Sequence, residues 1–70
     1  MKGIYIHSVT GRFYRPLKVG RCVDNPKQLM VVYEQKYNGK LHETGEPLPY
    51  GTIWIRKYEE FVAKFRKIDD

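Results

Sequence analysis

Cysteine is nearly absent from this sequence, and so are long apolar runs. Because Cys22 is the single cysteine, no disulfide can form within the chain, and a lone thiol is typical of a reducing compartment. Cys22, His7 and His42 do not form the paired spacings of a structural zinc site. No apolar stretch approaches the ~20 residues of a transmembrane helix, and the N-terminus lacks the apolar core of a signal peptide. We therefore expect a cytoplasmic protein with no metal site and no membrane partner.

Motifs for catalysis and for cofactor binding are missing as well. No glycine-rich phosphate loop precedes a helix, and no serine–histidine–acid set or carboxylate pair stands out. A chain of 70 residues allows one domain, spanning 1–70, and chains this short rarely enclose the ~300 Å³ of a substrate pocket. We expect no catalytic residue, no cofactor and no enzymatic activity in a monomer.

Acidic residues are absent from the first third of the chain. Residues 1–23 carry five Lys or Arg and no Asp or Glu, whereas residues 24–70 carry eight of each sign, so the net charge of +5 comes from the first segment. This asymmetry favours an anionic partner, of which nucleic acid is the common one. The alternative is that a modest positive charge only keeps a small protein soluble.

What the sequence does contain is a series of short alternating segments. They predict strands at about 3–9, 13–23, 29–37 and 52–56. The third is apolar on both faces and should be central. Pro16 predicts either an edge strand or a bulge in the second strand, Gly20 predicts a second bulge, and 24–26 reads as a turn. Asn38-Gly39 is a hairpin signal, followed by an extended loop over 40–51 that holds at most a brief return strand at its start.

The alternation also predicts which residues form the core. Phe13, Leu17 and Val19 share one face of the second strand, with Tyr14 on the other. On the last strand, Ile53 and Ile55 are the expected core residues.

A change of period predicts one helix over about 58–67. Tyr58, Phe61, Val62 and Phe65 fall on a single apolar stripe. Short strands, tight turns and one terminal helix together predict a mostly β protein. We expect a small SH3-like antiparallel barrel with the helix packed across an open end.

Trp54 and Arg56 are the most informative pair of polar and aromatic side chains. Two residues apart on a strand, they lie on one face about 6.5 Å from each other. With Tyr33 or Tyr5 on a neighbouring strand they would form an open platform that stacks a base, grips a proline-rich segment or holds a carboxylate. In the alternative, Trp54 is covered by the helix and Arg56 pairs with an acid, the candidates being Glu34, Glu59 and Glu60.

The remaining candidates are basic side chains and histidines. Arg12, Arg15, Lys18 and Arg21 recur every three residues, which on a strand alternates faces, and Arg15 and Arg21 are expected at the barrel rim. His7 shares the face of Tyr5 and serves either a structural hydrogen bond or a function. The expected binding residues are Trp54, Arg56, Tyr33, Tyr5, His7, Arg15 and Arg21.

A combination of short motifs extends over nearly the whole chain, from Gly3 to about Phe61. The motifs are Gly3-x-Tyr5-x-His7, Gly11-x-x-Tyr14, Leu29-x-Val31-Val32-Tyr33 and Trp54-x-Arg56 followed by Phe61. Together they resemble a small bacterial family catalogued as domain of unknown function 1653. The resemblance implies an SH3-like fold and a bacterial or phage origin, and it supplies no activity. Two departures are Lys57-Tyr58, where the family shows Pro-Leu, and a longer loop over 40–51.

The sequence therefore predicts a binding module, with a lean towards nucleic acid through the face of Trp54 and Arg56. The alternative is a protein- or peptide-interaction domain, including one that associates with a second copy of itself. The fold class cannot choose between these partners, because small barrels recognise both.

Overall fold

In the computed structural model, which describes residues 1–69, short strands and a single helix follow one another along the chain. In chain order they are β1 (Ile4–His7), β2 (Phe13–Cys22), β3 (Asn25–Gln35), β4 (Gly39–Lys40), β5 (Pro47–Leu48), β6 (Ile53–Lys57), α1 (Tyr58–Lys64) and β7 (Phe65–Asp69). The mostly β prediction is confirmed. Asp70, the last residue of the predicted domain, lies outside the described residues.

Five of the strands form one antiparallel sheet in the order β6-β3-β2-β1-β7, and β4 and β5 form a separate small hairpin in the 40–51 loop. β3 lies between β2 and β6, so its predicted central position is confirmed. Within residues 1–69 no pairing joins β6 to β7. The sheet is therefore open, and the closed barrel expected from the sequence is not found.

Of the two irregularities predicted in β2, the structure confirms the one at Pro16 and contradicts the one at Gly20. The register shifts between Pro16 and Lys18, which confirms the bulge predicted at Pro16. Gly20 pairs in regular register with Met30, so the bulge predicted there is wrong. The second irregularity follows Arg21, where the β2–β3 connection is made. That turn occupies residues 23–24, slightly before the predicted 24–26.

The core lies on the aromatic face of the sheet, beneath α1. Its buried members are Val31, Tyr33, Phe61 and Phe65, and Tyr5, Tyr14, Trp54 and Tyr58 pack against them. Trp54 is the register partner of Tyr33, so the two point to the same side. Large rings bury more apolar surface than isoleucine, and the face that carries them is the one the helix covers.

The core faces predicted for two strands are consequently wrong. Ile53 and Ile55 are 51% and 65% exposed, while their neighbour Trp54 is half-buried. On β2, the predicted core residues are likewise exposed, namely Phe13, Leu17 and Val19. Alternation identifies two faces of a strand, and both faces of these strands carry apolar side chains.

The helix begins at the predicted residue and ends earlier than predicted. After Lys64 the chain turns into β7, which pairs antiparallel with β1. Phe61 and Phe65 of the predicted stripe are buried and stacked with centroids 4.3 Å apart, whereas Val62 is 47% exposed. No helix within residues 1–69 has the length and apolar character required to cross a membrane.

Candidate functional site

A groove of about 730 Å³ opens beside the free edge of β6. Trp54, Ile55, Arg56 and Lys57 all line it. Because consecutive strand residues point to opposite faces, four in a row mean that the strand edge itself borders the groove. The volume exceeds the ~300 Å³ typical of the smallest ligand pockets, although the chain is short.

Aromatic rings from several elements line this groove, which we call the aromatic groove. They are Tyr14, Tyr33, Tyr37, Trp54 and Phe65. Tyr14 contacts Tyr33, Tyr37 and Phe65 edge-on, with centroids 5.6, 5.6 and 5.1 Å away. Its hydroxyl lies 2.8 Å from that of Tyr37. Burial raises the pKa of Tyr14, and the hydrogen bond to Tyr37 adds to this, so the hydroxyl stays protonated. The aromatic wall is thus fixed by packing and by one hydrogen bond.

A buried glutamine orients the tryptophan and anchors the adjoining loop. The Trp54 Nε1–H donates to Gln35 Oε1 at 2.9 Å, and Gln35 is fully buried. Gln35 Nε2 in turn donates to the carbonyls of Leu48 and Tyr37 at 2.6 and 3.0 Å. Within residues 1–69, Trp54 stacks on no other aromatic ring. The indole is therefore held in place by Gln35 and by packing against the core.

Arg56 forms an ion pair with an acid, as the alternative to an open platform predicts, but it also lines the groove. Its Nε lies 3.4 Å from Glu60 Oε1, one of the acids expected as a partner. It also lines the groove together with Tyr33, as the platform hypothesis requires. Burial raises the pKa of Tyr33, and the charge of Arg56 and its hydrogen bond oppose that rise. Arg56 is thus both paired and at the groove surface.

His7 is a hydrogen-bond donor with a fixed tautomer. Gly11 has a φ of +73°, and its N–H donates to the His7 carbonyl, which closes a tight turn. In this turn the backbone N–H groups of Val9 and Thr10 donate to His7 Nδ1 at 3.2 and 3.3 Å. Since Nδ1 accepts, the neutral ring carries its proton on Nε2. His7 also packs edge-on against Phe65 at 5.0 Å.

Acid is expected to destabilise the fold through His7. Burial lowers its pKa, and the charges of Arg56 and Lys64 add to this, so the folded pKa lies below the unfolded value. The unfolded chain then binds the proton more readily, and stability contributed by neutral His7 is complete above about pH 6.5 and lost below it. Thermal melting from about pH 7.5 to about pH 5 measures the loss.

Two variants isolate this effect from other acid-titrating groups. In His7→Asn, the amide oxygen can accept the same backbone N–H groups without titrating, so its melting temperature should fall less with pH than the wild type's. His42→Asn, in the exposed loop, should follow the wild type. Parallel pH profiles for His7→Asn and the wild type would contradict the assignment.

The charge around the aromatic groove is mostly positive. Four Lys or Arg residues line it and one carboxylate, Glu60. Besides Arg56, the cations are Arg12, Lys40 and Lys57. The Arg12 guanidinium lies over the Tyr37 ring at 4.6 Å, which presents its charge at a defined place.

The seven expected binding residues do not all lie together. Trp54, Arg56, Tyr33 and His7 line the aromatic groove. Tyr5 instead packs in the core against Phe61, with centroids 5.4 Å apart.

The two arginines expected at the rim are exposed but do not line the aromatic groove. Arg15 is the register partner of Glu34 and pairs with it at 3.6 Å, outside the groove. Arg21 donates to the Pro26 carbonyl at 2.9 Å, at the β2–β3 turn. The register of β2 on β3 places Arg15 opposite Glu34 and Arg21 opposite Leu29.

Sequence reasoning missed residues that the fold brings in from a distance. Tyr37 ends the strand predicted over 29–37, Lys40 follows the hairpin signal in a predicted loop, and Gln35 carries no functional signal at all. The aromatic and basic character of the segment around Tyr37 was the only available indication. Within residues 1–69 no three His, Cys, Asp or Glu side chains form a group that could hold a metal ion.

Comparisons with protein-family models, with curated proteins and with solved structures gave no match to this chain.

Proposed function

We propose that this chain is a binding module for single-stranded nucleic acid and that the aromatic groove is its site. The observation that carries the proposal is the coincidence of five aromatic rings and a cation excess of four to one in a single groove. Stacking on aromatic rings and charge pairing with phosphates are the two interactions on which such modules depend.

The groove residues divide into two roles. Trp54, which lines the groove and is half-buried, is the base-stacking surface, since every base has a π-face. Arg12, Lys40 and Lys57 are the phosphate contacts. A single strand suits this arrangement because its unpaired bases can leave their own stack and reach the rings.

Salt dependence is the test of the phosphate contacts. Trp54 fluorescence is titrated with a 12-nucleotide single strand from about 50 to about 200 mM salt, and affinity is expected to fall steeply. Lys40→Ala and Lys57→Ala should each weaken binding and reduce the logarithmic salt slope by about 0.7, the value for one phosphate contact on a single strand.

Lys18→Ala is the matched control, because Lys18 is exposed on β2 and lies outside the groove. It should bind as the wild type does. Binding that ignores salt, or an equal loss in Lys18→Ala, would count against the groove as a phosphate-binding surface.

The alternative of a protein partner has one observation in its favour. Within residues 1–69, β6 pairs only with β3, and Ile53 and Ile55 on this edge strand are exposed. Such an edge can accept a strand from a peptide or from a second copy. A chain that dimerises in light scattering and binds no oligonucleotide at low salt would support this alternative over the first proposal.

We also propose membership of the domain of unknown function 1653 family, with an open SH3-like fold. The motifs quoted above support it, as does the strand order β7-β1-β2-β3-β6 with a short helix between the last two strands in the chain. The bacterial origin is part of the same proposal, and the lone Cys22 supports a cytoplasmic location.

A further inference from the structure

The hydrogen-bonding groups of the aromatic groove are unequally available. Several of its side-chain acceptors already hydrogen-bond within the protein. Glu60 accepts from Arg56 at 3.4 Å, and Thr10 Oγ1 accepts from the Arg12 N–H at 3.3 Å. The hydroxyls of Tyr14 and Tyr37 bond to each other.

Donors, by contrast, are left for a ligand. Lys40 and Lys57 have no acceptor function, and the guanidinium of Arg12 carries donors alone. Arg56 has N–H groups beyond those that bond to Glu60 and Tyr33. The cationic side chains of the groove can therefore donate hydrogen bonds to a bound ligand but accept none from it.

His7 is the donor with the most rigid placement. Two backbone N–H groups point at its Nδ1, so moving the proton from Nε2 to Nδ1 would set donor against donor. Phe65 fixes the ring from the side. Lysine and arginine side chains follow a phosphate by rotating, whereas this imidazole cannot turn into an acceptor without losing both hydrogen bonds.

We infer, on the basis of the proposed function, that the groove selects pyrimidine bases with a carbonyl oxygen at C4 over those with an amino group there, and that His7 determines this selectivity. Uracil offers its O4 to the His7 Nε2–H. Cytosine has an amino group at the same place, which would oppose one donor with another. A site built to satisfy a hydrogen bond rejects an analogue that cannot make it, because a desolvated group is then left unpaired.

Oligomers of deoxyuridine and deoxycytidine form the matched probes, since they share length, charge and ring size. Trp54 fluorescence is titrated with a 12-nucleotide strand of each at low salt and near neutral pH. We expect the deoxyuridine strand to bind about tenfold more tightly, within the range of discrimination that one base-edge contact supplies.

Variants then test His7 itself. His7→Phe keeps an aromatic ring against Phe65 and removes the donor, so the affinity ratio should fall to about one through weaker deoxyuridine binding. Tyr50→Phe, which removes a donor from an exposed ring outside the groove, should keep the wild-type ratio. Circular dichroism verifies that each variant is folded, and the wild-type comparison stands even if His7→Phe is not.

The outcomes separate this inference from the proposed function. Equal binding of both strands by the wild type overturns the selectivity and leaves nucleic-acid binding in place. A preference that survives in folded His7→Phe overturns the assignment to His7. Failure of both strands to bind at low salt overturns both.

Discussion

Phe61→Ala is expected to leave much of the chain unfolded at room temperature. Phe61 is fully buried and contacts three rings, Tyr5, Tyr33 and Phe65, with centroids 5.4, 5.1 and 4.3 Å away. Truncating a buried phenylalanine costs about 3–5 kcal/mol. A domain of 70 residues has a total stability of roughly 4–10 kcal/mol, so this single cavity consumes a large share of it.

Val62→Ala is the control for Phe61→Ala. The two residues are adjacent on α1, but Val62 is 47% exposed, so its truncation should change stability by no more than about 0.5 kcal/mol. Urea denaturation, followed by circular dichroism and by Trp54 fluorescence, gives both values. Similar midpoints for the two variants would mean that Phe61 is not central to the core.

Gln35→Leu is expected to be the most damaging polar substitution. It leaves the carbonyls of Leu48 and Tyr37 and the Trp54 indole N–H without their partner. Each buried group left unpaired costs about 1–3 kcal/mol. We expect a loss of about 3 kcal/mol or more, with a shift in Trp54 emission as the indole loses its anchor.

Gln28→Leu is the same substitution on the same strand, where the side chain donates to Leu29 and Glu59 near the surface. It should cost about 1 kcal/mol or less, because water can replace these bonds. Urea denaturation compares the two variants. If Gln35→Leu is as stable as the wild type, the buried amide contributes no net stability.

Gln35→Glu distinguishes lost hydrogen bonds from lost volume. Near neutral pH it would place a carboxylate among carbonyl oxygens, which is costlier than leucine. Burial should raise the pKa of such a carboxyl, so the folded state takes up a proton more readily than the unfolded state does. The variant should therefore gain stability relative to the wild type as pH falls towards about 4. A pH-independent difference between variant and wild type would contradict this reasoning.

Elements governed by neighbouring residues were predictable from the sequence. The bulge at Pro16 follows from a missing N–H, and the start of α1 follows from a change of hydrophobic period at Tyr58. The central place of β3 follows from apolar residues on both its faces. Each of these depends on chemistry within a few residues, which a sequence displays directly.

Structural features that depend on contacts between distant residues were not predictable from the sequence. Whether Trp54 or Ile55 faces the core depends on which face of the sheet α1 covers. The sequence of β6 alone is compatible with either arrangement. The helix ends at Lys64 because the next five residues pair with β1, at the other end of the chain. Alternation and helical period contain no information about that partner.

The candidate site divides in the same way. Trp54 and Arg56 share the groove because strand geometry places residues two apart on one side. Arg12 and Tyr37 meet because β2 and β3 are registered so that Tyr14 opposes Gln35. Without that register, neither the cation over the ring nor the hydroxyl pair could be inferred.

The pairing of β1 with β7 also sets an order on folding. β2 and β3 are joined by a two-residue turn, so their ladder closes a short loop and costs little chain entropy. β1 acquires its second partner only when 65–69 is available, a contact across most of the sequence. During synthesis on the ribosome, the β2–β3 hairpin can form while one edge of β1 still has no strand partner. The stacked pair of Phe61 and Phe65 that completes the core is therefore supplied by residues translated after the hairpin.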